Sequence, residues 1–106
     1  MKRLSVHVRG IVQGVGFRPF VAREAAAHGL SGWVRNDDAG VEIEVQGHGG
    51  ALETFVAALG SSRPPGASVE AIRVADLPLA DGESGFVIAS SRAVVVGPMT
   101  RSVPLR

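Results

Sequence analysis

Cysteine is absent from this 106-residue chain. That excludes disulfides, thiolate metal sites and a cysteine nucleophile. A dominant charge is absent too: Lys and Arg number 11, Asp and Glu 10, and the formal net charge is +1. With no basic field to hold a nucleic-acid backbone, nucleic acid is not an expected partner. Every apolar run is far too short to span a bilayer. No apolar segment precedes Leu4, so no signal peptide is expected. Internal repeats are lacking. What is present is 45% hydrophobic and 20% charged residues, a composition that folds rather than stays disordered. The length suits one domain with one ordinary core. A small, soluble, cytoplasmic domain is expected.

Apolar periodicity supplies the order of elements. Leu4, Val6 and Val8 alternate with Ser5, His7 and Arg9, the period of a half-buried strand that extends to Val12. A glycine-rich loop, Gln13 to Arg18, follows. Pro19 is placed at the first position of a helix, where its missing N–H costs nothing. Phe20, Val21 and Ala25 then recur at helical spacing to His28, with Gly29 as the stop. Leu30 to Asn36 is a second strand. Asn36 to Gly40 is a turn, and Val41, Ile43 and Val45 alternate with Glu42, Glu44 and Gln46 as a third strand. Leu52, Phe55, Val56 and Leu59 form the apolar stripe of a second helix. Val69 to Val74 is a fourth strand, with adjacent Ala71 and Ile72 suggesting a bulge. Phe86 to Ala89 is a short fifth. The sequence therefore predicts an α+β, ferredoxin-like βαββαβ sandwich: an antiparallel sheet with two helices on one face, plus the fifth strand. The domain is expected over residues 1–91. Residues 92–106, with apolar Ala93 to Val96 and then Gly97, Pro98 and Pro104, read as a linker or as an extension lying along a sheet edge.

The loop between the first strand and first helix is where chemistry is expected. Glycines let successive N–H groups turn toward one point, and a helix N-terminus adds partial positive charge. Arg18, at the junction, carries a guanidinium that can fork two phosphate oxygens. The spacing matches neither a Walker loop nor a dinucleotide-binding fingerprint. A tight turn beside an exposed arginine is the plainer reading of such a loop taken alone.

Gly10-Ile11-Val12-Gln13-Gly14-Val15-Gly16-Phe17-Arg18 resembles the acylphosphatase signature. Gly32-Trp33-Val34-Arg35-Asn36, followed by Gly40, resembles that family's second signature at its usual separation. The resemblance covers residues 3 to about 90. Phe17-Arg18-Pro19-Phe20-Val21, Ala26, Gly29-Leu30 and Gly40-Val41-Glu42-Ile43 are more narrowly similar to the N-terminal domain of the hydrogenase maturation carbamoyltransferases. Arg63-Pro64-Pro65 and the segment from Gly97 to Pro104 extend that likeness. The resemblance implies that Arg18 and the backbone N–H groups of Gln13, Gly14, Val15, Gly16, Phe17 and Arg18 hold a phosphate, and that Asn36 positions water. It implies an acyl phosphate substrate, carbamoyl phosphate in the narrower family. No cofactor or metal is expected for this domain. A parent enzyme would use ATP and zinc elsewhere and pass the carbamoyl group to the C-terminal cysteine of a hydrogenase maturation protein. A stand-alone acylphosphatase, a module that binds carbamoyl phosphate without hydrolysing it, and a regulatory scaffold are the other readings; Arg18 and Asn36 weigh against the scaffold, which needs neither.

Other reactive side chains have plainer expectations. His7, His28 and His48 are spaced for surface or capping roles and not as a metal set. Glu42 and Glu44 fall on one strand face and read as solvated. Trp33 reads as packing on the sheet, and Arg9 and Arg35 as surface charge.

Overall fold

The computed structural model describes residues 1–89. The expected extension 92–106 lies outside them. The elements are β1 (Lys2–Ile11), α1 (Phe17–Ala27), β2 (Ser31–Asp37), β3 (Gly40–Gly47), α2 (Gly49–Ser61), β4 (Ser68–Leu77) and β5 (Phe86–Ile88). They form one sheet in the order β4-β1-β3-β2-β5. β1 pairs antiparallel with β3 and β4, and β2 pairs antiparallel with β3. This is the expected βαββαβ arrangement.

β5 departs from the all-antiparallel expectation: it runs parallel to β2, making the sheet mixed. The path explains the direction. β4 ends with Leu77 beside Arg3, at the end of the sheet where β1 and β2 begin. Residues 78–85 cross along that end, and Gly32 N–H bonds Gly85 O at 3.1 Å. The chain then has only the direction of β2 to follow.

The core lies between the sheet and the two helices. Leu4, Val6, Val8, Val34, Val41, Ile43 and Val45 face it from the strands; Phe17, Phe20, Val21, Ala25, Leu52, Phe55 and Leu59 face it from the helices. Each fully buried Val, Leu, Ile or Phe side chain among them stabilises by about 1.5–3 kcal/mol. α1 ends in a Schellman closure: Leu30 N–H bonds Ala25 O at 2.9 Å and Gly29 N–H bonds Ala26 O at 3.1 Å, with Leu30 and Ala25 both buried. The suspected irregularity of the fourth strand is present. Arg9 pairs with Ala71 and Gly10 with Val69, so Glu70 is the extra residue of a bulge. Among the described residues no helix is long and apolar enough to cross a membrane.

Candidate active site

β1 and β2 both run opposite to β3, so their C-terminal ends share one end of the molecule. The loop and the start of α1 follow β1 there, and Asn36 sits near the end of β2. On β2, Val34 faces the core, and Asn36, two residues on, takes the same, helix-bearing face opposite buried Val41. The fold thus brings the loop, Arg18 and Asn36 to one end and one face.

The loop turns through two left-handed residues, Gly14 (φ 76) and Gly16 (φ 78). A side chain would strain both positions, and their conformation lets neighbouring N–H groups converge. α1 begins earlier than expected, at Phe17, with Gly16 as its N-cap and no side-chain cap. Pro19 is therefore the third helical residue and not the first. The proline is tolerated because N–H groups throughout the first turn have no intrahelical acceptor. The first helical bond is Phe20 N–H to Gly16 O at 3.2 Å. The N–H groups of Phe17 and Arg18 are consequently available. No acidic residue stands in this turn, so the partial positive charge of the helix end is not neutralised locally. Arg18 is half-buried and, among the described residues, enters no ion pair.

Asn36 Oδ1 is buried without a hydrogen-bond partner. An orphaned buried acceptor costs about 1–3 kcal/mol, and among the described residues this is the one buried side-chain polar atom left without a partner. Beside it, the Gln13 side chain reaches across to the β2–β3 turn. Its Nε2 donates to Asp37 O at 2.7 Å and to Gly40 O at 2.9 Å. Gln13 was expected to contribute only its backbone N–H, so this side-chain role was not anticipated. Two consecutive strand ends separated by a short turn were visible in the sequence, but nothing there marked Gln13 as their link.

The opposite, open face of the sheet holds charge lattices that spacing alone did not show. His7, Asp37 and Glu42 come together, with one ligand atom from each within 4.8 Å of the others. His7 Nε2 lies 3.1 Å from Asp37 Oδ2. The cross-strand pairing of His7 with Glu42 is the signal that would have found them. Their atoms are already engaged: Arg35 donates to Glu42 Oε1 at 2.9 and 2.8 Å, and Ala39 N–H donates to Asp37 Oδ1 at 2.9 Å. Arg9 and Arg73 line the same depression. Arg35 also lies 4.8 Å over the Trp33 ring, a cation–π contact. Glu42, paired with Arg35, and Glu44, paired with Arg3, are half-buried ion-pair partners, which corrects their reading as a solvated face. His28 caps α1, its Nδ1 2.8 Å from Glu24 O. His48 is the N-cap of α2 without a side-chain bond.

At the far end of the sheet, Arg3 is almost fully buried. It donates to Glu44 Oε1 at 2.9 Å, Glu83 Oε1 at 2.8 Å and Gln46 Oε1 at 3.3 Å. Burial pulls its pKa down, but the hydrogen bonds and charges of Glu83 and Glu44 outweigh burial, and the net shift is upward.

A glycine-rich loop that opens a helix with free first-turn N–H groups, set on a βαββαβ sheet, is the arrangement expected of an acylphosphatase. A model of the Acylphosphatase family matches residues 4–88, and the chain belongs to that family. It is 48% identical over 89 residues to carbamoyltransferase HypF2 of Cupriavidus necator, covering 84% of this chain and 11% of that protein. The crystal structure of acylphosphatase from Bacillus subtilis superposes with a TM-score of 0.78 and 41% identity, covering 84% of this chain and 99% of that one. Full-length HypF, in its phosphate- and nucleotide-bound form, gives a TM-score of 0.80 at 33% identity, covering 85% of this chain and 12% of that one. The chain therefore spans only about a ninth of the carbamoyltransferases it matches.

Proposed function

We propose that this domain hydrolyses acyl phosphates, with carbamoyl phosphate as substrate, within a longer carbamoyltransferase that serves nickel-iron hydrogenase maturation. The observation that carries this reading is the orphaned Oδ1 of Asn36, on the same end and face as the loop and Arg18. A water can donate one proton to that oxygen and keep its lone pair aimed at a phosphorus held by the loop. The N–H groups of Gln13 to Arg18 and the Arg18 guanidinium bind the phosphate oxygens and stabilise their charge in the transition state.

The water oxygen bonds to phosphorus as the bond from phosphorus to the carboxyl oxygen breaks. Carbamate leaves as the anion, and the water proton passes to the product phosphate or to solvent. The leaving group is already a stable carboxylate, so positioning and charge stabilisation suffice without a strong base. This chain has no cysteine thiolate to offer a structural zinc, and in this reading the ATP and zinc of the proposed parent enzyme belong to other parts of it. So does transfer to the C-terminal cysteine of a maturation protein. Residues 1–91 form the hydrolytic domain and 92–106 lead toward those parts.

The test is phosphate release from carbamoyl phosphate and acetyl phosphate by the purified chain, followed by ³¹P NMR. Release well above the spontaneous rate, abolished in Arg18→Ala, is expected. Tight phosphate binding with no acceleration would instead make the domain a carrier of acyl phosphate.

A further inference from the structure

We propose that Gln13 is a positioning residue whose side chain sets the distance between the phosphate loop and Asn36. The inference rests on the hydrolytic reading above, but its structural basis is independent. β3 starts at Gly40, which pairs with Arg9. Beyond Arg9, β1 continues past the end of β3, and Gly10 and Ile11 keep a partner only in β4. On the β3 side the ladder has run out just where the loop begins. The Gln13 amide takes the place of the missing rung. Both protons of Nε2 are used, one on Asp37 O and one on Gly40 O, the two residues that close the β2–β3 turn as a ladder pair. Asp37 is the neighbour of Asn36 in the same strand. The loop holds its own shape through Gly14 and Gly16, and Asn36 is held by its pairing with Val41. What neither provides is the spacing between them. Among the described residues, Gln13 makes the side-chain hydrogen bonds that join the loop to this turn.

Each half should therefore survive loss of the amide while their alignment does not. Gln13→Ala removes the link, and Gln13→Glu keeps the side-chain volume but turns acceptors toward two carbonyls. In a ¹⁵N-labelled chain titrated with inorganic phosphate, the wild type should shift both the loop N–H signals and the Asn36 side-chain NH₂. Either variant should keep the loop response, with Kd within about three-fold, and lose most of the Asn36 response. Turnover of carbamoyl phosphate should fall about 10- to 100-fold in kcat with KM little changed, as misplacement of about an ångström does. In an Asn36→Ala background the same substitution should change kcat less than about two-fold, because the two residues act as one unit. An undiminished Asn36 response in both variants would overturn the proposal. So would an equal loss of kcat in the two backgrounds, which is what a general loss of structure produces. If the wild type shows no turnover, the hydrolytic reading fails and the phosphate titration alone decides the role of Gln13.

Discussion

Arg18 and Asn36 stand on different elements, and the chemistry asked of each differs. In the proposed mechanism Arg18 meets the phosphate in both ground and transition states. Arg18→Ala should weaken phosphate binding and remove turnover together. Arg18→Lys keeps the charge but loses the planar fork, so it should recover some binding and little rate. The role proposed for Asn36 is to touch the water and not chiefly the anion. Asn36→Ala should leave competitive inhibition by phosphate within about three-fold while kcat falls by about 10²-fold or more. Measuring phosphate dissociation constants by NMR titration, and kcat, in the same three variants checks the division of labour. If Asn36→Ala weakens phosphate as strongly as Arg18→Ala, Asn36 is part of the anion cradle. What was legible in the sequence is that Arg18 and Asn36 are the candidates, through the resemblance of their flanking motifs and not through any property of an isolated arginine or asparagine. Gln13 shows the limit. Its motif position was visible, but a side-chain bond across 24 residues depends on where β3 stops, which alternation alone does not fix.

The elements themselves follow from local pattern, and most were readable within a residue or two. α1 starts two residues before Pro19, the expected first position, because the left-handed Gly16 caps the helix ahead of Phe17. The direction of β5 was not readable, since three residues carry no record of whether they run with or against a neighbour. Two glycines illustrate how the same residue type carries opposite consequences. Gly32 opens the second motif at φ +138, and a Cβ there would lie 1.9 Å from Glu44 O on the adjoining strand. The backbone on both sides is paired, so nothing yields. Gly32→Ala should cost about 3 kcal/mol or more from strain and overpacking. Gly50, in the first turn of α2, has open space where its Cβ would be and no positive φ. Gly50→Ala should stabilise by about 0.4–1 kcal/mol, by restricting the unfolded chain. Urea denaturation of both variants checks the opposite signs; a neutral Gly32→Ala would mean that β2 and β3 separate there at little cost.

Across the whole molecule the two ends of the sheet are specialised. The loop, Arg18 and Asn36 occupy the end where β1 finishes; Arg3 and its carboxylates occupy the end where β1 starts, roughly 25 Å away at the rise of a strand. Arg3 holds the 78–85 crossing against the sheet through Glu83, a partner 80 residues distant. That separation is why a lone arginine at a strand start gave no hint of burial. Its side chain is 5% exposed, against 30% for Glu44 and 24% for Glu83. In Arg3→Met the carboxylates can recover some water, so the loss should be about 1–3 kcal/mol and not the full cost of a stranded buried charge. For a domain of this size each kilocalorie lowers Tm by about 4–8 °C. The pH dependence follows from the upward shift of the Arg3 pKa. A raised folded-state pKa gives stability that is complete below the unfolded arginine pKa and lost only as pH rises through the folded one. Both lie far above neutrality, so the gap between wild type and Arg3→Met should be the same at pH 7 and pH 9. Phosphate affinity, measured well below either Tm, should be unchanged, because the hydrogen-bond partners of Arg3 are Glu44, Gln46 and Glu83, none of them a residue proposed to hold phosphate. A stability gap that closes by pH 9 would show that some group other than arginine carries it. Weakened phosphate binding in the folded variant would show that the crossing and the proposed phosphate site are coupled through the sheet.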